Sequence, residues 1–240
     1  MTKTYDPQEC WICRNGSADT AEHMIKNSNY PLVFDKVTQK DPLYYNDNHG
    51  RKNHKIGSTK HKLLTWRYTL CSKCNNERTQ PHDKAWDILL NAMRTRIPTI
   101  GKDTIIRNNK TFPYKTRQEM INVHLYFVKL FGCRIINEKL PIDIKDFSSS
   151  IMNSKPHPCV FLKFGVFSSD RSPIVGISEV DIIESNGSCI FAGWYLRINN
   201  LTVRVMFSSH NEWNLLMDSW HPSHSTNNLK ICNFNKLGQH

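Results

Sequence analysis

The chain lacks any long apolar run, and its opening residues contain no apolar stretch of the kind that forms a secretory signal. No segment approaches the roughly 18 consecutive apolar residues that a membrane-spanning helix needs. We therefore expect a cytoplasmic protein with no membrane partner. In that reducing compartment, the eight cysteines are not expected to form a disulfide framework.

Acidic residues are scarce. The 240 residues include 21 Asp and Glu against 32 Lys and Arg, which gives a net charge of +11. This balance favours polyanionic partners, chiefly nucleic acid. The stretch from Asn48 to Asn76 contains no acidic residue at all. Its basic residues are suited to contact the phosphates of a nucleic acid. The alternative is that this stretch is a solvated loop whose charges have no binding role. The residues predicted to bind nucleic acid are Arg51, Lys52, Lys55, Lys60, Lys62 and Arg67.

A hydrophobic fraction of 39% is ordinary for a globular protein and supports a real core. We predict an α+β protein with two domains. Residues 1–100 form the first domain, 101–116 a linker, and 117–240 a second α+β domain that contains an antiparallel meander.

Periodicity predicts the elements of the first domain. Residues 20–25 are short enough to be a strand, and residues 64–70 alternate between apolar and polar, which is a strand signal. The polar stretch 35–62 is predicted to be a long loop or insertion. A helix is expected to begin near Thr79 or Gln80, because Pro81 is tolerated only in the first turn, and to end before Pro98.

The second domain is predicted to begin with a helix over residues 117–131. Strands follow at 160–167, 174–183, 188–198 and 201–208, and the last of them is expected to bury one face. Asn186-Gly187 and Asn199-Asn200 are predicted hairpin turns, because these residues accept positive φ. Residues 212–220 are predicted to form a last helix. His157, His221, His224 and His240 show no ligand spacing and are predicted to lie at the surface.

The paired cysteines predict a structural zinc site. Cys10 and Cys13 form one Cys-x-x-Cys pair, and Cys71 and Cys74 form another. Four thiolates in two such pairs can close a tetrahedral Zn²⁺ site and hold two distant stretches of chain together. The other four cysteines are scattered singly and are predicted to be small buried apolar residues.

Three polar residues flank these pairs. Glu22 and His23 follow the first pair, and Asn75 comes directly after the last cysteine. A carboxylate and an amide oxygen suit a hard divalent cation, whereas a neutral imidazole suits proton abstraction from water. If zinc brings the two stretches together, this combination is typical of a metal-dependent phosphodiester hydrolase.

The order Cys10-x-x-Cys13, Ala21-Glu22-His23 and Leu70-Cys71-x-x-Cys74-Asn75 resembles the HNH, or ββα-metal, endonuclease superfamily. The most similar branch has a zinc-knuckle frame and includes phage Holliday-junction resolvases of the endonuclease VII type. The resemblance covers residues 9–96 and implies a zinc-clamped ββα nuclease fold.

The resemblance also implies roles for these residues. His23 would be the general base, and Glu22 with Asn75 would hold a catalytic Mg²⁺ or Mn²⁺. Hydrolysis would leave 5′-phosphate and 3′-hydroxyl ends, and DNA rather than RNA is the expected substrate. Glu22 departs from the commoner Asp, and Asn76 is an alternative to Asn75.

The central asparagine of the HNH pattern has no clear position. Asn46, Asn48 and Asn53 are equal candidates. The segment between the two halves of the motif is also longer than in minimal members of the superfamily.

His82 and Asp83 are further site candidates. On a helix that begins near Asn75, both residues would lie on the same face as Asn75 and point at the metal. The alternative is that Pro81 breaks this phase and that Asp83 merely interacts with the positive end of the helix.

The sequence thus predicts a metal-dependent HNH endonuclease, with restriction or anti-phage defence as a plausible setting. The alternatives are a non-catalytic zinc-bound module that binds nucleic acid, or an RNA-cleaving nuclease or toxin. The second domain is expected to recognise substrate, to form a homodimer, or to bind a partner protein.

Overall fold

The computed structural model describes residues 8–96, 104–167, 173–209 and 216–234. The protein is α+β, as the sequence predicts. Its helices are α1 (Gln80–Arg94), α2 (Asn108–Thr111), α3 (Thr116–Glu138) and α4 (Lys145–Met152). Its strands are β1 (Thr20–His23), β2 (Leu43–Tyr45), β3 (His54–Ile56), β4 (Thr65–Leu70), β5 (Thr104–Arg107), β6 (Val160–Val166), β7 (Val175–Ile177), β8 (Asp181–Ser185), β9 (Ser188–Ile198), β10 (Leu201–Ser208) and β11 (Asn228–Asn233).

The amino-terminal half is built on a two-stranded antiparallel sheet of β1 and β4, both of which lie where periodicity predicts strands. The pairing shifts register between Thr20 and Glu22, which is the mark of a β-bulge. The predicted loop 35–62 contains a small hairpin of β2 and β3. Each of these strands has only three residues, so neither is long enough to give a period-two signal.

Helix α1 has one apolar stripe, on which Ala85, Trp86 and Leu89 are fully buried. Pro81 lies in its first turn, where a missing backbone N–H costs nothing. The preceding residues Cys74–Arg78 form a π-helical turn rather than the first turn of α1. Helix α1 therefore begins at Gln80, as predicted, and Asn75 is not in phase with it, which agrees with the alternative interpretation of His82 and Asp83.

Helix α3 lies at the centre of the molecule and is longer than the predicted 117–131. It is buried on nearly every side from Met120 to Ile135, as expected of a helix that is covered all round. Phe127 packs edge-on against Trp86 of α1, and Phe131 packs edge-on against Trp194 of the large sheet. The helix ends at Lys139, whose φ of 55° is the left-handed conformation common after helix ends.

The large sheet has seven strands in the order β5-β11-β6-β10-β9-β7, with β8 also paired to β9. It is mixed rather than an antiparallel meander, because β11 runs parallel to β6. Positive φ values at Asn186, Gly187 and Asn199 confirm the two predicted hairpin turns. The predicted strand 174–183 is divided between β7 and β8.

Strand β10 is buried on both faces, not on one as predicted. Val203 and Val205 join the main core, whereas Met206 packs on the opposite face in a second cluster. Of the predicted helix 212–220, residues 216–220 form turns and a bridge between Trp220 and Leu162. Residues 212–215 lie outside the described part of the chain.

One hydrophobic cluster contains buried residues from both halves of the chain, from Cys10 to Ile231. The division into two domains remains a prediction. The predicted linker 101–116 contains β5, which pairs with β11 at the edge of the large sheet. Among the described residues, no helix is both long and apolar enough to cross a membrane.

Candidate active site

The four paired cysteines form one cluster, whose Sγ atoms lie within 4.8 Å of one another. The Sγ atoms of Cys13 and Cys71 are 3.7 Å apart. A tetrahedral zinc ion with Zn–S bonds of about 2.3 Å separates its sulfurs by about 3.8 Å. The cluster therefore fits a metal such as zinc, as the cysteine spacing predicts.

Each pair of cysteines occupies a tight turn. The backbone N–H of Cys10 donates to Gly16 O, and that of Arg14 donates to Cys10 O. In the second turn, the backbone N–H of Cys74 donates to Cys71 Sγ at 3.4 Å. The hydrogen bond between the Cys10 and Cys74 thiols lowers the pKa of Cys10 and raises that of Cys74.

Trp11 attaches the first turn to α3. Its side chain is fully buried, and its Nε1 donates to Cys133 Sγ at 3.4 Å. Gly132 leaves space for the indole, because a Cβ at that position would lie 2.4 Å from Trp11 Cζ2. Thr69 Oγ1 donates to the same Cys133 sulfur, so both cysteine-bearing segments contact one point on α3. Cys133 and Cys189 are buried as predicted, whereas Cys159 is only partly buried.

Glu22 points into the protein from strand β1, directly after the register shift. Its Oε1 lies 3.0 Å from Lys129 Nζ, and its side chain is only 12% exposed. Burial raises the pKa of Glu22, Lys129 opposes that rise, and Asp83 adds to it. Glu22 therefore shares one charged cluster with a residue from α1 and another from α3.

His23 lies beside this cluster. Its Nε2 is buried and has no hydrogen-bond partner among the described residues. Burial lowers the pKa of His23, and the positive charges of Lys129 and Lys60 lower it further. The imidazole is consequently neutral at pH 7, with a ring nitrogen available to accept a proton.

Asn75 contacts the strand that carries Glu22 and His23. Its Nδ2 donates to Thr20 Oγ1 at 3.2 Å and to Ala21 O at 3.3 Å. Both hydrogen bonds use the amide nitrogen, so the carbonyl oxygen is the atom left to bind a ligand. Asn76 instead bonds Ser72 within its own turn. Of the two candidates, Asn75 is therefore the one next to β1.

His82 and Asp83 face different partners. Asp83 Oδ1 lies 2.8 Å from Lys129 Nζ, opposite Glu22. His82 is 2% exposed, and its Nδ1 is hydrogen-bonded to Asn122 of α3. Burial lowers the pKa of His82 to about 4. Asp83 thus belongs to the charged cluster, whereas the described contact of His82 is to α3.

Lys129 is the site residue that the sequence reasoning missed. It lies in the middle of α3, is 1% exposed, and contacts both Glu22 and Asp83. Burial opposes its charge, but the two carboxylates outweigh burial and raise its pKa above the usual value. The available signal was a lysine among the apolar residues 123–131, because lysine is almost never fully buried unless it is paired.

The six predicted nucleic-acid-binding residues are all exposed, and they surround the β2–β3 hairpin and the start of β4. Lys60 is close enough to His23 to lower the pKa of its imidazole. Arg51 forms an ion pair with Asp47 at 2.6 Å. This pairing weakens the attraction of Arg51 for a phosphate.

Two of the three candidates for the central HNH asparagine, Asn46 and Asn53, have local roles in the hairpin. Asn46 Oδ1 accepts a hydrogen bond from the backbone N–H of Asn53, whose φ is 53°. The side chain of Asn46 thus holds the β2–β3 turn together.

Two histidines predicted to lie at the surface are buried. His157 is 1% and His221 is 4% exposed, and the Nε2 of His221 is hydrogen-bonded to the carbonyl oxygen of His157. Their rings pack against Phe147 and Phe161, respectively, which a search for ligand spacing could not reveal. His224 is exposed as predicted, and His240 lies outside the described residues.

No protein-family model, curated protein or solved structure matches this chain.

Proposed function

We propose that the protein is a metal-dependent HNH endonuclease that hydrolyses phosphodiester bonds in DNA. The observation that carries this proposal is the meeting of Glu22, Asp83 and Lys129 next to His23 and beside the four-cysteine cluster. Asn75 donates a hydrogen bond to the carbonyl oxygen of Ala21, on the strand that carries Glu22 and His23. An HNH ββα fold, with β1 and β4 as its hairpin and α1 as its helix, accounts for this arrangement.

His23 is the proposed general base. A base for hydrolysis must be neutral before the reaction and must have a free nitrogen that accepts the proton of the attacking water. The lowered pKa of His23 and the unpartnered Nε2 meet both requirements.

Glu22 and Asn75 are the proposed ligands of Mg²⁺ or Mn²⁺. Their donor set, a carboxylate and an amide carbonyl oxygen, consists of the hard oxygen ligands that these ions prefer. Asn75 fits this role because its amide nitrogen is held by Thr20 and Ala21 and its oxygen is not. When bound, the ion would polarise the scissile phosphate and stabilise the leaving oxygen.

The exposed basic residues around β2 and β3 are the proposed contacts to the nucleic-acid backbone. Lysine and arginine at the surface bind phosphates without reading the bases. Lys60 is the member of this group whose charge lowers the pKa of the proposed base. A duplex held there would have its backbone close to His23.

The test is to incubate the full-length protein with supercoiled plasmid and, separately, with total RNA, in Mg²⁺ or in EDTA. We expect plasmid nicking in Mg²⁺, none in EDTA, and little cleavage of RNA. Binding of DNA without nicking would identify the non-catalytic module instead. Cleavage of RNA but not of plasmid would identify an RNA-cleaving enzyme.

A further inference from the structure

Lys129 joins three separate elements inside the candidate site. Its ammonium lies 3.0 Å from a carboxylate oxygen of Glu22, on β1, and 2.8 Å from one of Asp83, on α1. Lys129 itself comes from α3, outside residues 9–96 that carry the HNH resemblance. The positive charge thus lies between two carboxylates, in the kind of position that a bound cation takes.

Packing alone does not account for a lysine at this position. Removing an ammonium from water is costly, and buried ion pairs can often be replaced by apolar residues with no loss of stability. The partners of Lys129 are instead two acidic residues that the sequence pattern assigns to the reaction centre. The neighbouring pair of Lys26 and Asp87 is different, because its side chains are 25% and 33% exposed.

We propose that Lys129 is a positioning residue whose ammonium holds Glu22 and Asp83 in place and competes with a divalent cation for them. This inference rests on the proposed function, since it takes Glu22 as a ligand of the catalytic ion. A carboxylate oxygen binds Mg²⁺ at about 2.1 Å, and the ammonium lies 3.0 Å from that same oxygen. Two positive charges so close repel each other strongly in a partly buried site.

Two consequences follow for the protein without bound metal. The ammonium keeps the two carboxylates from repelling each other, so the site remains assembled before an ion arrives. The ammonium also weakens the binding of that ion, because its positive charge already neutralises part of the negative charge of the two carboxylates. The carboxy-terminal half of the chain therefore controls the metal affinity of a site that the amino-terminal half provides.

The test is to titrate Mn²⁺ into the full-length, zinc-loaded protein without nucleic acid, following free Mn²⁺ by electron paramagnetic resonance. We expect Lys129→Met to bind Mn²⁺ at least about tenfold more tightly than the wild type, because one opposing charge is gone. Lys129→Arg keeps the charge and should bind no more tightly than the wild type. Lys145→Met, the matched control, should change the affinity by less than about threefold, because Lys145 pairs with the exposed Asp143 rather than with a residue of the site. Adding Glu22→Gln to Lys129→Met should abolish the gain.

An unchanged or weaker affinity in Lys129→Met would overturn the inference. If that variant unfolds without metal, recovery of its thermal transition in Mn²⁺ supports the inference, and an unfolded protein under both conditions contradicts it. Because binding is measured without cleavage, the result is independent of the proposed nuclease activity. If the wild type cuts no nucleic acid, the proposed function is wrong. The competition between the Lys129 ammonium and Mn²⁺ can still be measured in that case.

Discussion

At the scale of single residues, the two adjacent site candidates on β1 relate differently to Lys129. Neighbouring residues on a regular strand point to opposite faces, and Glu22 and His23 pair in regular register with Trp66 and Thr65. Glu22 contacts the ammonium of Lys129 directly, whereas the charge of Lys129 lowers the pKa of His23. The sequence identifies the two residues, but the register shift between Thr20 and Glu22 leaves no periodic signal by which it could have been predicted.

Asn75 and Asn76 provide a residue-scale prediction, since they are adjacent asparagines with different contacts. Asn75→Ala should lower the rate of plasmid cleavage by at least about 100-fold, because it removes a proposed ligand of the catalytic ion. Asn76→Ala should remain within about threefold of the wild type, since the side chain of Asn76 is hydrogen-bonded to Ser72 in its own turn. Initial nicking rates in saturating Mg²⁺ measure both. Equal losses in the two variants would contradict the assignment of Asn75.

At the scale of elements, α3 shows what sequence patterns reveal and what they omit. Its apolar composition predicts a helix, and the structure confirms one at Thr116–Glu138. Composition does not reveal that the helix is covered on all sides, because that depends on α1 and the large sheet packing against it. The role of Lys129 was missed for this reason, since its two partners lie 46 and 107 positions earlier in the chain.

Gly132 provides an element-scale prediction about how the first cysteine turn attaches to α3. Gly132→Ala should lower the free energy of unfolding by about 1–3 kcal/mol, because the added Cβ overlaps the Trp11 ring. Gly176→Ala is the matched control, because nothing lies within 4 Å of its added Cβ, and it should change stability by less than about 0.5 kcal/mol. Urea unfolding followed by tryptophan fluorescence measures both. A Gly132 variant as stable as the control would show that the contact is loose.

At the scale of the whole molecule, the sequence predicts local features better than long-range pairing. The cysteine spacing predicts the metal-binding cluster, and Asn186-Gly187 predicts its hairpin turn. The parallel pairing of β11 with β6 was not predicted, because it joins segments more than 60 residues apart. The same limit applies to His157 and His221, whose burial depends on aromatic residues elsewhere in the chain.

Four buried histidines predict how the stability of the whole molecule depends on pH. Burial lowers the pKa of His82, His124, His157 and His221, to about 4 for His82 and to about 3 for His157. In the unfolded chain these groups titrate near pH 6.5, so the unfolded state binds more protons below that pH. Their contribution to stability is therefore complete above about pH 6.5 and is lost as the pH falls toward their folded-state values.

The measurement is the free energy of unfolding at pH 7.5 and pH 5.5, for the wild type and for His157→Gln. Since the pKa of His157 falls to about 3 in the folded protein, this histidine should account for a loss of roughly 1.4 kcal/mol over this interval, and the variant should lose about that much less than the wild type. His224→Gln is the control, because His224 is exposed, and its pH dependence should match the wild type. A His157 variant with the full wild-type loss would show that this histidine is protonated in the folded protein.

The central claim is that His23 takes a proton from water at a centre assembled beside the four-cysteine cluster. Its most direct test is the rate of Mg²⁺-dependent plasmid nicking by His23→Ala, with His54→Ala as an exposed histidine control. We predict that His23→Ala nicks plasmid at least about 100-fold more slowly while keeping its zinc and its unfolding transition, and that His54→Ala cuts at the wild-type rate. A folded, zinc-loaded His23→Ala protein that nicks plasmid as fast as the wild type would contradict the account.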